Sequence, residues 1–173
     1  MTRTNKALII TGKFVQDPEF IYPFYRLQED GYDVVVATED GKETFGVAGT
    51  KIPVHITTSN LSLDAYDILV LPGGARALEY IRQDKNVLDF IAKWNAAGKV
   101  IACICHGAQL LISAKTVKGR KISGYYSLKD DIENAGAEFV DAPAVTDGNI
   151  ITSPHYRHMG PWMKEVLRVA AAE

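Results

Sequence analysis

A cysteine, a histidine and a glycine follow one another at Cys105-His106-Gly107, directly after the β-branched run Val100–Ile104. An apolar run with helical spacing, Ala108–Ser113, comes immediately afterwards. A buried strand that turns directly into a helix holds the turn residue in a tight bend, and the first amides of the helix point at whatever that residue attacks. The segment predicts a nucleophile elbow, with Cys105 as the nucleophile and His106 as a neighbouring base. The alternatives are a buried structural cysteine and a histidine that only caps the helix.

A glycine pair, Gly73-Gly74, follows a second short apolar run, Ile68–Leu71. Glycine lets the backbone approach a bound group closely, so an amide at Gly73 or Gly74 would be able to complete an oxyanion site next to the thiol. The alternative is a plain tight turn, since glycine pairs are also common where the chain only reverses direction.

Three residues with carboxyl or carboxamide side chains, Gln16, Asp17 and Glu19, follow the first apolar run. Parallel strands end at the same edge of a sheet, so an acid in this segment would lie near the thiol. Asp17 is equally well placed to cap the helix that follows and to do nothing more.

Two histidines, His155 and His158, lie in the segment TSPHYRHMG after the last predicted strand. They would either contact substrate or belong to a solvated loop. Together with Cys105 and His106 they lack the spacing of a metal site, and we expect neither a metal nor a cofactor.

Strands that alternate with helices along the whole chain are expected to position these groups. They predict an α/β fold, a three-layer sandwich with a mostly parallel sheet, in one domain over residues 1–173. Residues 44–56 predict an irregular β-hairpin away from the main sheet. Predicted strands cover residues 7–10, 33–37, 68–71, 100–104 and 149–152, with shorter ones at 121–123, 138–140 and 144–145. Predicted helices cover 17–31, 87–98, 108–113, 129–135 and a last helix that begins after Gly160-Pro161.

Composition limits the classes of function. The chain has 173 residues, of which 47% are hydrophobic and 23% charged, as in a globular protein with a full core. A net charge of −2 gives no electrostatic footprint for nucleic acid. No apolar run approaches the ~20 residues of a membrane span. Two cysteines, Cys103 and Cys105, are too few for a disulfide framework and predict a reducing, cytoplasmic setting. Because they are two residues apart on one predicted strand, their side chains are expected to face the same side of the sheet.

Beyond these local features, the chain resembles the ThiJ/PfpI superfamily, and within it the short PfpI-type intracellular proteases. The resemblance runs nearly end to end. It implies a flavodoxin-like sandwich, a homodimer or homohexamer, and an activity among those of the superfamily: peptidase, glyoxalase, deglycase, isonitrile hydratase or chaperone. The segments that carry it are IYPFYRLQEDGYDV, YDILVLPGG, KVIACICHGAQLLISA, VKGRKISGYYSLKDDIENAGAEFVD and VTDGNIITS.

The resemblance also implies residue roles. Cys105 matches the nucleophile, and the amides of Gly74 and His106 match the oxyanion donors. Glu79 matches the acid that completes a triad from an adjacent subunit in the hexamers. Tyr125 matches a tyrosine near the pocket.

The chain departs from the superfamily pattern at two places. The superfamily has a glutamate after the first strand whose protonated carboxyl hydrogen-bonds the cysteine sulfur, and an ungapped match puts Gln16 there. Glutamine donates a hydrogen bond but transfers no proton, so Asp17, as in the isonitrile hydratases, or His155 as a proton shuttle is expected to replace the missing acid. The segment SPHYRHM also gains His155 and His158, where the superfamily has neither.

The first functional hypothesis is a cysteine-dependent enzyme that acts through Cys105 on a small electrophile or a peptide, by glyoxalase-, deglycase- or peptidase-like chemistry. One alternative is an isonitrile hydratase-like enzyme that uses Asp17. The other is a non-enzymatic redox-sensing or stress protein with an oxidisable Cys105.

Overall fold

The computed structural model describes residues 4–172, and regular elements cover most of this range. The helices are α1 (Asp17–Glu29), α2 (Ala75–Ile81), α3 (Lys85–Ala96), α4 (Ala108–Ser113), α5 (Lys129–Asn134) and α6 (Met159–Ala170). The strands are β1 (Lys6–Ile10), β2 (Asp33–Thr38), β3 (Thr44–Phe45), β4 (Lys51–Ile52), β5 (Ile56–Thr57), β6 (Ile68–Leu71), β7 (Val100–Ile104), β8 (Lys121–Ile122), β9 (Glu138–Phe139), β10 (Val145–Asp147) and β11 (Ile150–Ser153).

Within residues 4–172, seven strands form the central sheet in the order β10-β11-β7-β6-β1-β2-β5. All neighbouring strands are parallel except β10 and β11, which form an antiparallel hairpin. The predicted mostly parallel sheet is therefore confirmed. Because β7, β6 and β1 are neighbours, the loops at their carboxyl ends meet at one edge.

Two apolar cores cover the two faces of the sheet, because alternate residues of each strand point to opposite sides. One core packs α1 and α6 against the sheet through large side chains such as Leu27 and Trp162. The other packs α2, α3 and α4 against the opposite face through Leu78, Trp94 and Leu111. The result is the predicted three-layer α/β sandwich.

Some local predictions were incomplete. Helix α2 was not predicted, since it has only seven residues and no side chain caps it. The predicted hairpin exists as β3 and β4, but β5 returns to the main sheet beside β2. Helix α6 begins at Met159, so that Gly160 and Pro161 lie in its first turn. Among residues 4–172, no helix is both long and apolar enough to cross a membrane.

The two cysteines are free and buried, but they do not face the same side as expected. Cys103 belongs to the core on the α3 side, and Cys105 belongs to the core on the α1 side. The reason is that the strand ends at Ile104, and the backbone of Cys105 turns out of it with a positive φ of 59°.

Candidate active site

Cys105 stands at a sharp bend between β7 and α4, as the sequence predicts. A single 3-10 turn, Cys105–Gly107, joins the strand to the helix. The φ of 59° at Cys105 is left-handed, a conformation that costs a non-glycine residue on the order of 1–2 kcal/mol. A Cβ on Gly107 would overlap the carbonyl oxygen of Leu71, so the bend also needs glycine to pack against β6. The predicted nucleophile elbow is confirmed as a backbone geometry.

The sulfur of Cys105 lies among hydrogen-bond donors. The backbone N–H groups of His106 and Gly74 both donate to it, and each lowers the pKa of the thiol. Burial acts in the opposite direction and, together with the negative charge of Glu19, raises that pKa above its ordinary value. The His106 Nδ1 atom lies 3.4 Å from the sulfur. Burial lowers the pKa of His106, which favours the neutral imidazole.

A carboxyl group does lie against the thiol, and it belongs to Glu19. The side chain of Glu19 is 0% exposed, and its Oε2 accepts a 2.8 Å hydrogen bond from the N–H of Gly73. The carboxyl and the Cys105 thiol lie on either side of Gly73, close enough that each shifts the pKa of the other. Burial raises the pKa of Glu19 to about 7, although the thiol and the Gly73 amide pull it down. With two ionisable groups in one buried space, a single shared proton is favoured over two charges.

The expectation that Gln16 replaces the family glutamate is wrong, and so is the inference that the acid is missing. Gln16 is the residue before α1, and its backbone N–H points to the carbonyl of Gly73 at 3.4 Å. Glu19 lies three residues further on, in the first helical turn and on the same side of the helix. The sequence prediction that an acid among residues 16–19 would lie near the thiol is confirmed, with Glu19 as that acid.

Asp17 does not replace the acid either. Its two carboxylate oxygens accept hydrogen bonds from the N–H groups of Ala48, at 2.7 Å, and Thr50, at 2.9 Å. Burial opposes the charge, but these donors more than offset it and lower the pKa of Asp17. The carboxylate therefore fastens the loop between β3 and β4 to α1.

The two glycines after β6 have separate roles. Gly73 gives its N–H to Glu19, so the expectation that this amide serves as an oxyanion donor is wrong. The amide of Gly74 faces the sulfur instead, and its role as an oxyanion donor stays a prediction. A Cβ on Gly73 would overlap the Glu19 carboxyl and lie 2.9 Å from the Cβ of Cys105. Gly74 has a φ of 101°, which disfavours other residues.

Aromatic and histidine side chains line one side of the elbow. The ring of Tyr125 stacks on the ring of His106 with 4.6 Å between the centroids. The backbone N–H of Tyr125 donates to the carbonyl of Cys105. His155 lies beyond Tyr125, at 6.1 Å between centroids, and its Nδ1 accepts a hydrogen bond from the N–H of Arg157. His158 donates its backbone N–H to the carbonyl of His155. Tyr125 therefore separates His155 from the catalytic candidates, which does not fit a direct proton shuttle to the sulfur.

Glu79 lies on α2 with an exposed side chain. Among residues 4–172, the groups that set the pKa of Cys105 are the amides of His106 and Gly74 and the carboxyl of Glu19. The role of Glu79 in an adjacent subunit stays a prediction.

The fold and the elbow together define a class: three-layer α/β proteins with a thiol at a strand-to-helix bend beside a buried carboxyl. The chain belongs to the DJ-1/PfpI family, whose sequence pattern matches residues 5–169. It is 38% identical over 164 residues to Deglycase PfpI of Pyrococcus furiosus. That alignment covers 95% of this chain and 98% of the relative. It is 32% identical over 169 residues to Protein/nucleic acid deglycase 2 of Escherichia coli, covering 96% and 97% of the two chains.

Solved structures agree with this assignment. The crystal structure of Drosophila melanogaster DJ-1beta superposes on the chain with a TM-score of 0.88 and 26% sequence identity. The superposition covers 98% of this chain and 91% of that chain. The predicted membership of the ThiJ/PfpI group is confirmed.

Proposed function

We propose that the protein is a cysteine-dependent enzyme of the glyoxalase/deglycase type, which acts on small reactive carbonyl compounds or their adducts. The observation that carries the proposal is the carboxyl of Glu19 against the Cys105 sulfur, with the amides of Gly74 and His106 donating to the same atom. Relatives named deglycases, matched over nearly the full chain, support the same chemistry.

In the first step, the Cys105 thiol passes its proton to the Glu19 carboxylate, and the sulfur reacts as the thiolate formed by this transfer. The thiolate attacks the aldehyde carbon of an α-oxoaldehyde; a C–S bond forms and the carbonyl π electrons move to oxygen. The N–H groups of Gly74 and His106 stabilise that oxyanion. Glu19 then donates its proton to the oxygen, which gives a hemithioacetal.

The Glu19 carboxylate next removes the proton from the carbon bonded to sulfur, and a proton returns to the neighbouring carbon. One carbon is oxidised and its neighbour is reduced, so the product is an α-hydroxy thioester and no external oxidant is needed. Water attacks the thioester, the C–S bond breaks, and a proton returns to the Cys105–Glu19 pair. For methylglyoxal the net reaction is the addition of water to give lactate.

A small substrate fits this site better than a polypeptide. Cys105 is only 6% exposed, so an extended peptide bond would reach the sulfur with difficulty, whereas an aldehyde carbon would enter easily. Isonitrile hydration through Asp17 is disfavoured, because both oxygens of Asp17 are held by the amides of Ala48 and Thr50.

Glu79 is proposed to act in trans. Its exposed position on α2 allows it to reach the site of a second copy in a homodimer or homohexamer, as the resemblance implies. A Glu79→Gln variant tests this: a fall in kcat with an unchanged oligomeric state supports the role, and full activity removes it.

The proposed function is tested by following methylglyoxal loss and lactate formation with Cys105→Ala and Glu19→Gln. Either variant is expected to lose at least about 100-fold in kcat/KM, since each removes the nucleophile or the proton-transfer group. The control is Cys103→Ala, which removes the other thiol from the opposite core. Turnover that survives intact in Cys105→Ala would overturn the proposal.

A redox-sensing role is the second candidate, favoured by the donors that surround the sulfur. The same amides and a protonated Glu19 would hydrogen-bond the oxygens of a sulfinate at Cys105. Treatment with limiting peroxide followed by mass spectrometry tests this candidate. Addition of two oxygens at Cys105, and not at the buried Cys103, supports it; equal oxidation of both thiols contradicts it.

A further inference from the structure

Four rings extend from the elbow toward solvent in the loops after β8 and β11. Tyr125, stacked on His106, is followed by Tyr126 at 5.8 Å and His155 at 6.1 Å between ring centroids. Tyr126 lies 6.3 Å from His155, with only 23° between the ring planes. Tyr156 contacts His155 at 4.0 Å. The residues Tyr125, Tyr126, His155 and Tyr156 are named the aromatic platform here.

The aromatic platform is fixed at the elbow side and open at the solvent side. Tyr125 is attached to the elbow by its N–H bond to the Cys105 carbonyl, and His155 is held by the amide of Arg157. Tyr126 is 46% exposed and Tyr156 is 37% exposed. Exposed rings beside a buried nucleophile provide surface on which a flat part of a substrate would stack.

The charge near the platform restricts what it would hold. Burial has the largest effect on the pKa of His155 and lowers it. The nearby Arg157 and His158 lower it further by charge repulsion. A positively charged substituent would meet the same repulsion. A neutral or negatively charged flat group would not.

We propose that the aromatic platform is a substrate subsite for a planar aromatic or heteroaromatic substituent, which stacks there while the carbonyl carbon reacts at Cys105. The inference rests on the proposed function and adds to it the class of substrate that the site prefers. Recognition by ring stacking needs no hydrogen-bond code, so the subsite selects flatness rather than one particular ring.

The test compares phenylglyoxal with methylglyoxal, two α-oxoaldehydes that share the reacting carbonyl and differ in the ring. Initial rates are used, because phenylglyoxal also modifies arginine slowly. The wild-type protein is expected to prefer phenylglyoxal in kcat/KM. Tyr126→Ala is expected to reduce the ratio of the two kcat/KM values by about three- to tenfold, mainly through KM, because one ring contact is lost. Tyr126→Phe, which keeps the ring, is expected to retain the ratio.

The matched control is Tyr25→Ala on α1, which removes a tyrosine that is 63% exposed and lies outside the platform. It is expected to leave the ratio unchanged. Equal ratios in wild type, Tyr126→Ala and the double variant Tyr126→Ala/Tyr156→Ala would overturn the subsite while leaving the proposed function intact. If wild type turns over neither substrate, the proposed function fails first. Circular dichroism of each variant confirms that the fold is retained.

Discussion

Asp17 and Glu19 lie two residues apart in the first turn of α1, yet their carboxyl groups have opposite pKa shifts. Asp17 faces the loop between β3 and β4, where two backbone N–H groups donate to it. Glu19 faces the elbow, where one backbone N–H donates to it and the Cys105 thiol lies beside it. Burial disfavours the charge in both cases, and it is outweighed only at Asp17.

The number of donors therefore separates a structural acid from a reactive one. A buried carboxylate that receives several hydrogen bonds stays ionised and holds the backbone in place. A buried carboxyl with too few donors keeps its proton near neutral pH and is able to exchange it with a neighbour. The same turn of α1 supplies both, because successive residues of a helix point in different directions.

Among the substitutions at Gln16, Asp17 and Glu19, Glu19→Gln is expected to have the largest effect on activity. The amide keeps the size of the side chain but transfers no proton, so activity on methylglyoxal is expected to fall by about 100- to 10,000-fold. Steady-state kinetics at neutral pH measure the loss. Near-wild-type kcat in this variant would mean that Glu19 is only a packing residue.

Asp17→Ala is expected to cost stability more than chemistry. The N–H groups of Ala48 and Thr50 lose their acceptor, which costs about 0.5–1.5 kcal/mol for each of these part-buried bonds. Urea denaturation measures the change in the free energy of unfolding. Asp17→Asn is the milder companion, because its carbonyl oxygen still accepts one of the two bonds. A stability loss smaller than that of a surface alanine substitution would contradict the structural role.

The two acids are expected to give stability opposite pH dependences. The folded-state pKa of Glu19, about 7, lies above its ordinary 4.5, so the folded state binds more protons between these values and stability falls as the pH rises through them. The free energy of unfolding of Glu19→Gln, relative to that of wild type, should therefore rise from pH 4.5 to pH 7 by an amount on the order of 1–3 kcal/mol. The pKa of Asp17 is lowered, so its contribution is present above its ordinary 3.8 and is lost as the pH falls below it.

Urea midpoints for wild type, Glu19→Gln and Asp17→Asn, measured from about pH 3 to about pH 8, check the direction of both pH dependences. A relative stability of Glu19→Gln that falls toward pH 7 would contradict the raised pKa of Glu19 in the folded protein.

Gln16→Ala is expected to have the smallest effect. The side chain precedes α1, and its backbone N–H rather than its amide group meets Gly73. Activity is expected to stay within about twofold and stability within about 0.5 kcal/mol, as for most surface substitutions. A large loss of activity would restore Gln16 as a partner of the thiol.

Much of this arrangement was predictable from sequence. The elbow follows from a β-branched run that meets Cys105 and an apolar helix, and the sheet follows from alternating strands and helices. The choice among Gln16, Asp17 and Glu19 was not predictable by counting along the chain. It depends on where α1 begins and therefore on which residue of its first turn faces the elbow.

Other features depend on contacts that are distant in sequence. The tie between Asp17 and the loop at residues 46–50 joins segments about 30 residues apart. The use of the Gly73 amide by Glu19, rather than by a substrate, depends on the meeting of two loops. Neither leaves a pattern in the local sequence.

The most direct test of the central claim is the titration of the Glu19 carboxyl carbon by ¹³C NMR, assigned with Glu19→Gln. The account predicts an apparent pKa of about 7 in the wild-type protein, and a change in that value when Cys105 is replaced by alanine, because the two groups share one proton. A Glu19 carboxyl that titrates near 4.5 and does not respond to Cys105→Ala would contradict it.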